Sequence, residues 1–376
     1  MPTSLVARRR EGSISILPAA AIGGALLLSA CGASRGDAPA SEDAGVDRTN
    51  DTGAQRDVRS TPRMRDSASP ADAGATVDAG TEASKVVTVD GAAGGTHYGA
   101  DGPASYTTAA LKVTNGSDSF TVNVWVPSTS GAHAVVSLSP GLEQPHLGYV
   151  PYATRLASWG FVVLMRDDPG FLVSGDTVTS DLSYTVGTWL PAQNGTSGSV
   201  LYGKADLSHV GLAGHSRGGQ TTLVAAEEGL LGKVRAWVGL DPVNTAYSAG
   251  TAPSTNLPSI GIPTLYIGAG IATNCAPAGD NYETLYAVSP SPSIALTVVG
   301  AAHPQFEDLA GCSVCGTLVC SPMGTANSAT VLDDAIRYLT AYFARELLGD
   351  SSVGSLLEGA GAPADEAAGA ITMTSK

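Results

Sequence analysis

The sequence predicts an α/β fold in which helices cover both faces of a mostly parallel sheet. Between residues 134 and 348, apolar runs of strand length alternate with stretches of helical periodicity. Parallel strands need long crossover connections, which are usually helices, so this alternation is typical of a parallel sheet. Two alternating, β-branched runs at 106–114 and 120–126 flank Asn115-Gly116, which predicts an antiparallel hairpin at the start of the fold.

The predicted elements follow one another in a regular order. After the hairpin, the predicted strands cover residues 134–138, 161–165, 209–213, 235–240, 264–268 and 294–299. The predicted helices cover residues 149–158, 181–190, 220–228, 282–288 and about 329–348. Parallel sheets bind ligands beyond the carboxyl ends of their strands, so the residues that follow each strand are the ones to inspect for chemistry.

The two ends of the chain are predicted to lie outside this fold. Residues 32–84 are rich in Ala, Asp, Ser, Thr and Arg and offer too little apolar surface to offset the entropy of ordering, which predicts a disordered tether. Residues 350–376 are rich in Ala and Gly and are predicted to form a flexible tail. The segment between them, residues 85–349, has the length of one α/β domain.

Residues 1–31 have the features of an export signal. Three arginines at 8–10 precede an apolar run at 14–30, which is short for a membrane span. The run ends in Leu-Ser-Ala-Cys, which resembles a bacterial lipobox. The resemblance implies that Cys31 is lipidated and anchors an exported protein at the outer membrane, in the periplasm or on the cell surface. Ordinary signal cleavage and an uncleaved anchor are the alternatives.

The charge of the chain argues against nucleic-acid binding. The net charge is −14, and the predicted domain has no cluster of Lys and Arg to bind the phosphates of a nucleic acid.

An exported chain favours disulfides, and three pairings into two disulfides are open to Cys275, Cys312, Cys315 and Cys320. Zinc binding by the Cys-x-x-Cys at 312–315 is disfavoured, because no histidine or second such pair completes a tetrahedral set nearby.

Ser216 is the candidate nucleophile. It lies in Gly-His-Ser-Arg-Gly-Gly at 214–219, between a predicted strand that ends at Ala213 and a predicted helix that begins at Gln220. So short a connection requires a sharp turn, and glycines two residues before and after the serine relieve its crowding. A second Gly-x-Ser-x-Gly at 32–36 has neither a strand before it nor a helix after it, so the context singles out Ser216.

The loop after the first parallel strand, Ser-Pro-Gly-Leu-Glu at 139–143, is the candidate oxyanion loop. A backbone N–H in this position can point at a substrate carbonyl oxygen, whose negative charge grows as an ester is attacked. The predicted donors are the amides of Leu142 and Arg217. The alternative is that Pro140-Gly141 is only a turn.

A carboxylate and a histidine follow later strands. Asp241 directly follows the strand at 235–240, 25 residues beyond Ser216, and is the candidate that orients an imidazole. Asp280, which follows the next strand and an irregular loop, is the alternative acid. Of the six histidines, only His303 follows the last strand, in a loop of small residues, and it is the candidate general base.

These motifs resemble those of the α/β-hydrolase superfamily, and the resemblance covers residues 106–349. The motif at 214–219, together with Leu-Asp-Pro-Val at 240–243, is similar to plant chlorophyllases. The segments Ser-Pro-Gly-Leu at 139–142 and Ala-His-Pro-Gln-Phe at 302–306 resemble the platelet-activating-factor acetylhydrolases and the bacterial cutinase-like polyester hydrolases.

The resemblance implies a catalytic triad in the chain order Ser216, Asp241, His303. In chlorophyllases and the acetylhydrolases the acid follows the strand after the nucleophile helix, which matches Asp241. In the polyester hydrolases it lies one strand later, where this chain has Asp280 displaced by a loop.

The predicted function is that of an exported serine esterase that forms an acyl-enzyme on Ser216 and needs no metal or organic cofactor. The expected partner is a small-molecule or polymeric ester, with membrane contact only through the lipid anchor, no nucleic acid and a monomeric state. An amidase or peptidase on the same triad and a non-catalytic binding lipoprotein are the alternatives.

Overall fold

The computed structural model describes residues 97–245, 250–308, 320–358 and 362–376. The export signal with Cys31, the tether at 32–84, Cys312 and Cys315 lie outside the described residues. What the sequence predicts for them therefore stays a prediction.

The predicted α/β fold is confirmed by a sheet of nine strands in the described part of the chain. The strands are β1 (Tyr106–Asn115), β2 (Asp118–Pro127), β3 (His133–Ser139), β4 (Val162–Met165), β5 (Ala205–His215), β6 (Val234–Leu240), β7 (Thr264–Ile271), β8 (Ser293–Ala302) and β9 (Ile371–Ser375). Their order across the sheet is β1-β2-β4-β3-β5-β6-β7-β8-β9, and β3 to β8 run parallel. The predicted hairpin is confirmed by the antiparallel pairing of β1 with β2.

Helices cover this sheet, as predicted. They are α1 (Val150–Ser158), α2 (Gly175–Tyr184), α3 (Leu190–Gly195), α4 (Arg217–Glu227), α5 (Tyr282–Val288), α6 (Ser328–Leu348), α7 (Gly354–Leu357) and α8 (Ala362–Ala367). The helix predicted at 181–190 begins earlier, because the Ser174 side chain caps α2 by accepting the Thr177 N–H. Within the described residues, none of these helices has both the length and the apolar character of a membrane span.

Two hydrophobic cores hold the layers together, one on each face of the sheet. The first packs α1 and α6 against the strands and includes Leu156 and Phe343, which are fully buried. The second packs α2 and α4 on the opposite face and includes Leu223. Successive residues of one strand point to opposite cores, as Val135 and Val136 of β3 do. Burial on both faces explains why the parallel strands are apolar throughout their length.

A disulfide joins Cys275, in the loop after β7, to Cys320, in the segment before α6. This bond selects one pairing among those that the sequence leaves open for these two cysteines. The residues beside the two cysteines are also joined, because the Asn274 N–H donates to the Ser321 carbonyl oxygen over 2.9 Å. Across the described residues, no three His, Cys, Asp or Glu side chains are arranged to hold a metal ion.

The prediction of a flexible tail at 350–376 is corrected by the structure of its described residues. A 3₁₀ turn at Ser351–Val353 leads into α7, and the chain ends in β9, which pairs antiparallel with β8. Ile371 of β9 is 1 % exposed and packs in the core that contains α6. Within this Ala- and Gly-rich segment, the alternating sequence Ile-Thr-Met-Thr-Ser forms a short strand. It hydrogen-bonds to the backbone groups along the edge of β8.

The burial of Ile371 predicts that Ile371→Ala lowers the free energy of unfolding by about 2–5 kcal/mol, because the substitution removes apolar volume from the core. The matched control is Thr372→Ala, which changes the exposed neighbour on the same strand and should cost less than about 1 kcal/mol. Urea unfolding followed by circular dichroism measures both. Equally small effects would contradict the docking of β9.

Candidate active site

Ser216 occupies a turn of one residue between β5 and α4. Its φ angle is 54°, a backbone conformation that non-glycine residues rarely adopt. A Cβ atom at Gly214 would collide with the carbonyl oxygen of Gly218, and a Cβ at Gly218 would collide with that of Ser139, so both positions require glycine. Ser216 is partly exposed whereas its neighbours on either side are buried. The predicted strand-turn-helix geometry is therefore present, with the serine presented at the carboxyl edge of the sheet.

Asp241 and His303 meet at the same edge. The Asp241 carboxylate Oδ2 lies 2.6 Å from His303 Nδ1, and both side chains are at most 4 % exposed. The other carboxylate oxygen accepts the Ala269 N–H over 3.0 Å. A carboxylate facing Nδ1 keeps the proton on that nitrogen, which leaves His303 Nε2 as the nitrogen that can accept a proton.

Asp280, the alternative acid, is hydrogen-bonded to the loop that follows Asp241. Its Oδ1 accepts hydrogen bonds from the backbone N–H and the hydroxyl of Thr245, at 3.0 and 2.8 Å. Its carbonyl oxygen accepts the Asn244 N–H over 2.8 Å. Asp280 thus fastens the loop that follows Asp241, and the geometry pairs His303 with Asp241.

In the loop after β3, two hydrogen-bonded backbone amides lie on either side of one that has no hydrogen-bond partner among the described residues. The Gly141 N–H donates to the Tyr149 hydroxyl over 3.1 Å, and the Glu143 N–H donates to Asp168 over 2.8 Å. Between them, the Leu142 N–H makes no hydrogen bond with any described residue. The Arg217 N–H is the first of α4, where a helix leaves its amides without intrahelical acceptors. Both amides predicted as oxyanion donors are therefore uncommitted.

The Arg217 side chain makes a buried ion pair that the sequence did not reveal. Its guanidinium binds both carboxylate oxygens of Asp168, with Nε 3.0 Å from Oδ2 and Nη2 bonded to Oδ1. Nη1 also donates to the Val173 carbonyl oxygen over 3.0 Å, and Nη2 donates to the Gly170 carbonyl oxygen over 3.3 Å. Asp168 follows β4 at the carboxyl edge of the sheet. This position after a strand is the one feature of the sequence that could have identified it. This carboxylate connects the loop of Leu142 to the residue after Ser216.

A second polar cluster lies beneath the serine turn. His215 hydrogen-bonds away from Ser216: its Nδ1 lies 2.7 Å from the Tyr149 hydroxyl and its Nε2 lies 3.1 Å from the His303 carbonyl oxygen. Glu307 Oε1 lies 3.4 Å from His215 Nδ1. Tyr149 and Glu307 were not singled out from the sequence, where only the distance of four residues from His303 points to Glu307.

Burial sets the protonation of this cluster. It lowers the pKa of His215 well below the usual range, and the nearby His303 charge lowers it further. Burial also raises the pKa of Glu307 to about 7. At neutral pH, His215 is therefore uncharged and Glu307 is about half protonated.

Comparison with known proteins agrees with this geometry. A family model described as PET hydrolase-like matches residues 96–308, which is more than half of the 376-residue chain. A chlorophyllase-1 from Citrus unshiu is 32 % identical over 179 residues, covering 43 % of this chain and 51 % of the relative. Cutinase 1 from Thermobifida cellulosilytica is 27 % identical over 183 residues, covering 48 % and 64 %.

A third relative is bis(hydroxyethyl) terephthalate hydrolase from Streptomyces coelicolor, which is 29 % identical over 168 residues, covering 44 % of this chain and 47 % of the relative. The chain thus spans between 47 % and 64 % of the length of these three relatives.

The ion pair predicts that Asp168→Ala lowers the free energy of unfolding by about 3–5 kcal/mol, because it leaves a buried guanidinium without its carboxylate. The matched control is Asp101→Ala. It breaks an Asp–Arg pair with Arg155 in which the Asp101 side chain is 62 % exposed, and it should cost less than about 1 kcal/mol. Denaturant titration of the three proteins checks this, and equal costs would contradict a structural role for Asp168.

Proposed function

The chain belongs to the PET hydrolase-like family, and from this premise we propose that it is a serine hydrolase that cleaves carboxylic esters. The observation that carries the proposal is the buried contact of 2.6 Å between Asp241 and His303, at the sheet edge where the turn presents Ser216. The matched relatives are named for hydrolysis of esters: a chlorophyllase, a cutinase and a terephthalate ester hydrolase.

In the proposed reaction, His303 Nε2 takes the hydroxyl proton of Ser216 while Ser216 Oγ bonds to the ester carbonyl carbon. The carbonyl oxygen becomes negative and is held by the N–H groups of Leu142 and Arg217. Collapse of this intermediate breaks the bond to the alcohol, which leaves with the proton from His303. Water then repeats the sequence on the acyl-enzyme, releasing the acid and restoring Ser216. Asp241 stabilises the imidazolium in both halves.

An apolar rim supports an ester with a hydrophobic component as the substrate. The rim is Phe171 and Leu172, whose side chains are 57 % and 101 % exposed. The carbonyl oxygens on either side of these two residues bind the Arg217 guanidinium, next to Ser216 in the chain. Exposed apolar groups fixed beside a candidate site fit an apolar or polymeric substrate surface.

We also propose that the protein is exported and tethered through Cys31. The arginines and apolar run of residues 1–31 support export, as does the disulfide between Cys275 and Cys320, since disulfides persist in oxidising compartments. Metabolic labelling with a palmitate analogue tests the tether, with Cys31→Ser as the unlabelled control.

A fluorophosphonate probe should modify Ser216 and no other residue, since the probe needs an activated serine. Asp241→Asn should lower kcat for a soluble ester by about 10⁴-fold, because the imidazole then loses its correct tautomer. Asp280→Asn, the matched control on the rival carboxylate, should lower kcat by less than about tenfold. Peptide mapping and steady-state kinetics provide the two readouts.

Three outcomes would count against this assignment. A wild-type protein that takes up no probe would favour a non-catalytic binding protein. A larger loss in Asp280→Asn than in Asp241→Asn would reassign the acid. Faster cleavage of amides than of matched esters would make the protein an amidase or peptidase on the same residues.

The rim predicts that Phe171→Ser combined with Leu172→Ser raises KM for a long-chain or terephthalate ester by about tenfold, because apolar contact with the substrate is lost. The kcat for a short acetate ester should stay within about twofold of wild type. The control is Leu231→Ser, which removes a leucine that is 61 % exposed in the loop after α4. Equal KM values for the rim variant and the control would remove the rim from substrate binding.

A further inference from the structure

The segments at the carboxyl edge of the sheet offer no free cation to a substrate. Their described residues are 139–149, 166–174, 216–217, 241–245, 272–281, 303–308 and 320–327, and the Lys and Arg side chains among them are Arg166 and Arg217. Each of these two is paired with a carboxylate: Arg166 Nη1 lies 2.8 Å from Asp181 Oδ2, and Arg217 binds Asp168. An anion that enters the candidate site therefore meets no unpaired positive charge from these segments.

The Glu143 carboxylate, in contrast, is an unpaired negative charge at this edge. Glu143 is exposed, and its carboxylate makes no hydrogen bond or ion pair with any described residue. Acids on the neighbouring segments are engaged: Asp167 with His146, Asp241 with His303 and Asp280 with Thr245. Glu143 thus keeps its full charge for interaction with whatever approaches Ser216.

The Glu143 backbone is held in place although its carboxylate is free. Its N–H donates to Asp168 Oδ1 over 2.8 Å, and the Asp168 N–H donates to the Gln144 carbonyl oxygen over 3.0 Å. The side chain lies against Gly170, where a Cβ atom would be 3.5 Å from Glu143 Oε1. The carboxylate therefore lies between the loop that carries Leu142 and the start of the apolar rim at Phe171.

This position is close enough to Ser216 for the charge to act on a bound ester. A Cβ atom at Gly141 would lie 3.4 Å from Ser216 Cβ. Glu143 is two residues further along, and consecutive Cα atoms are about 3.8 Å apart, so its Cα lies within about 8 Å of that of Gly141. Electrostatic interactions extend over a Debye length of about 10 Å at 0.1 M salt.

We propose that Glu143 determines the charge specificity of the proposed esterase, so that esters with a negative charge are disfavoured and esters with a positive charge are favoured relative to neutral ones. The opposite charges of Arg217 and Asp168 cancel, which leaves Glu143 as the net charge of this group. Like charges repel an approaching anion and opposite charges attract a cation. The inference rests on the proposed function and adds the charge of the substrate to it.

Three compact acetate esters test this preference. They are 4-acetoxybenzoate, which is an anion, 4-acetoxybenzamide, which is neutral, and 4-acetoxyphenyltrimethylammonium, which is a cation. In the two charged esters, the charge lies one benzene ring away from the ester oxygen. Chromatography of the released phenols gives kcat/KM for each. Within each protein, the value for a charged ester is divided by that for the neutral ester, so a change common to all three cancels.

Glu143→Gln removes the charge and keeps the size of the side chain. Its ratio for the anionic ester should be about 3- to 10-fold higher than in wild type, and its ratio for the cationic ester lower by a similar factor, because one charge near the ester is lost. Glu143→Lys should move both ratios further in the same directions. Raising the salt from about 0.01 M to about 1 M shortens the Debye length from about 30 Å to about 3 Å, so the wild-type ratios should approach those of Glu143→Gln.

The matched control is Glu228→Gln, which removes an exposed carboxylate at the far end of α4. This helix has 11 residues and starts beside Ser216, so Glu228 lies about 16 Å from the site, beyond the Debye length at 0.1 M salt. Both ratios should stay within about 1.5-fold of wild type. Circular dichroism identifies any variant that fails to fold, and the salt dependence of wild type then supplies a second measurement.

Failure of this inference can be distinguished from failure of the proposed function. If wild type neither cleaves the neutral ester nor reacts with a fluorophosphonate, the proposed function fails and the inference fails with it. If wild type cleaves the neutral ester and Glu143→Gln keeps the wild-type ratios, Glu143 does not determine charge specificity. Equal shifts in Glu143→Gln and Glu228→Gln would assign the preference to the net charge of −14 and would likewise overturn the role of Glu143.

Discussion

The buried pair of Arg217 and Asp168 is the contact on which the arrangement of the site depends. A guanidinium that is 2 % exposed is costly to remove from water unless it is paired and hydrogen-bonded, and here a carboxylate and two carbonyl oxygens bind all three of its nitrogen atoms. The same carboxylate accepts the Glu143 N–H. The need to pair one buried guanidinium with a carboxylate therefore fixes the segment after β4, the start of α4 and the loop after β3 relative to one another. An apolar residue at position 217 could fill the space, but it would not connect these segments.

Backbone strain at the sheet edge is tolerated because neighbouring strands hold it in place. Ser216 and Asp241 both have positive φ angles, 54° and 39°, although neither is glycine. Each donates its N–H to the next strand: Ser216 to the Leu240 carbonyl oxygen over 3.1 Å, and Asp241 to the Ile267 carbonyl oxygen over 2.7 Å. Such strain persists only where surrounding contacts over-determine the conformation, and it concentrates at functional sites. These two are proposed as nucleophile and acid, on adjacent strands. The third non-glycine residue with a positive φ among the described residues is Glu143, at 61°, which follows Leu142 in the candidate oxyanion loop.

How much of this was visible in the sequence depends on the range of the interactions involved. Periodicity and turn residues are local, so the sheet, the hairpin and the turn at Ser216 were predictable. The choice of Asp241 over Asp280 followed from its place directly after a strand, and the contact with His303 agrees with it. Asp168 and Glu307 were missed because their partners lie 49 and 92 residues away, on segments that meet only in the folded chain. The strand at Ile371–Ser375 was missed because its composition resembles a linker and only the edge of β8 gives it a partner.

Hydrogen-bond partners determine where each of the two histidines at the site carries its proton. Asp241 accepts from Ala269 N–H and His303 Nδ1–H, both of which are donors, so the ionised form is the one that satisfies its neighbours. Beneath the serine turn, the His303 carbonyl oxygen can only accept, so the proton of the neutral His215 ring lies on Nε2, and the Tyr149 hydroxyl donates to His215 Nδ1. Donor and acceptor geometry thus assigns opposite tautomers to the two rings: His303 carries its proton on Nδ1, which leaves Nε2 to accept one, whereas His215 carries its proton on Nε2.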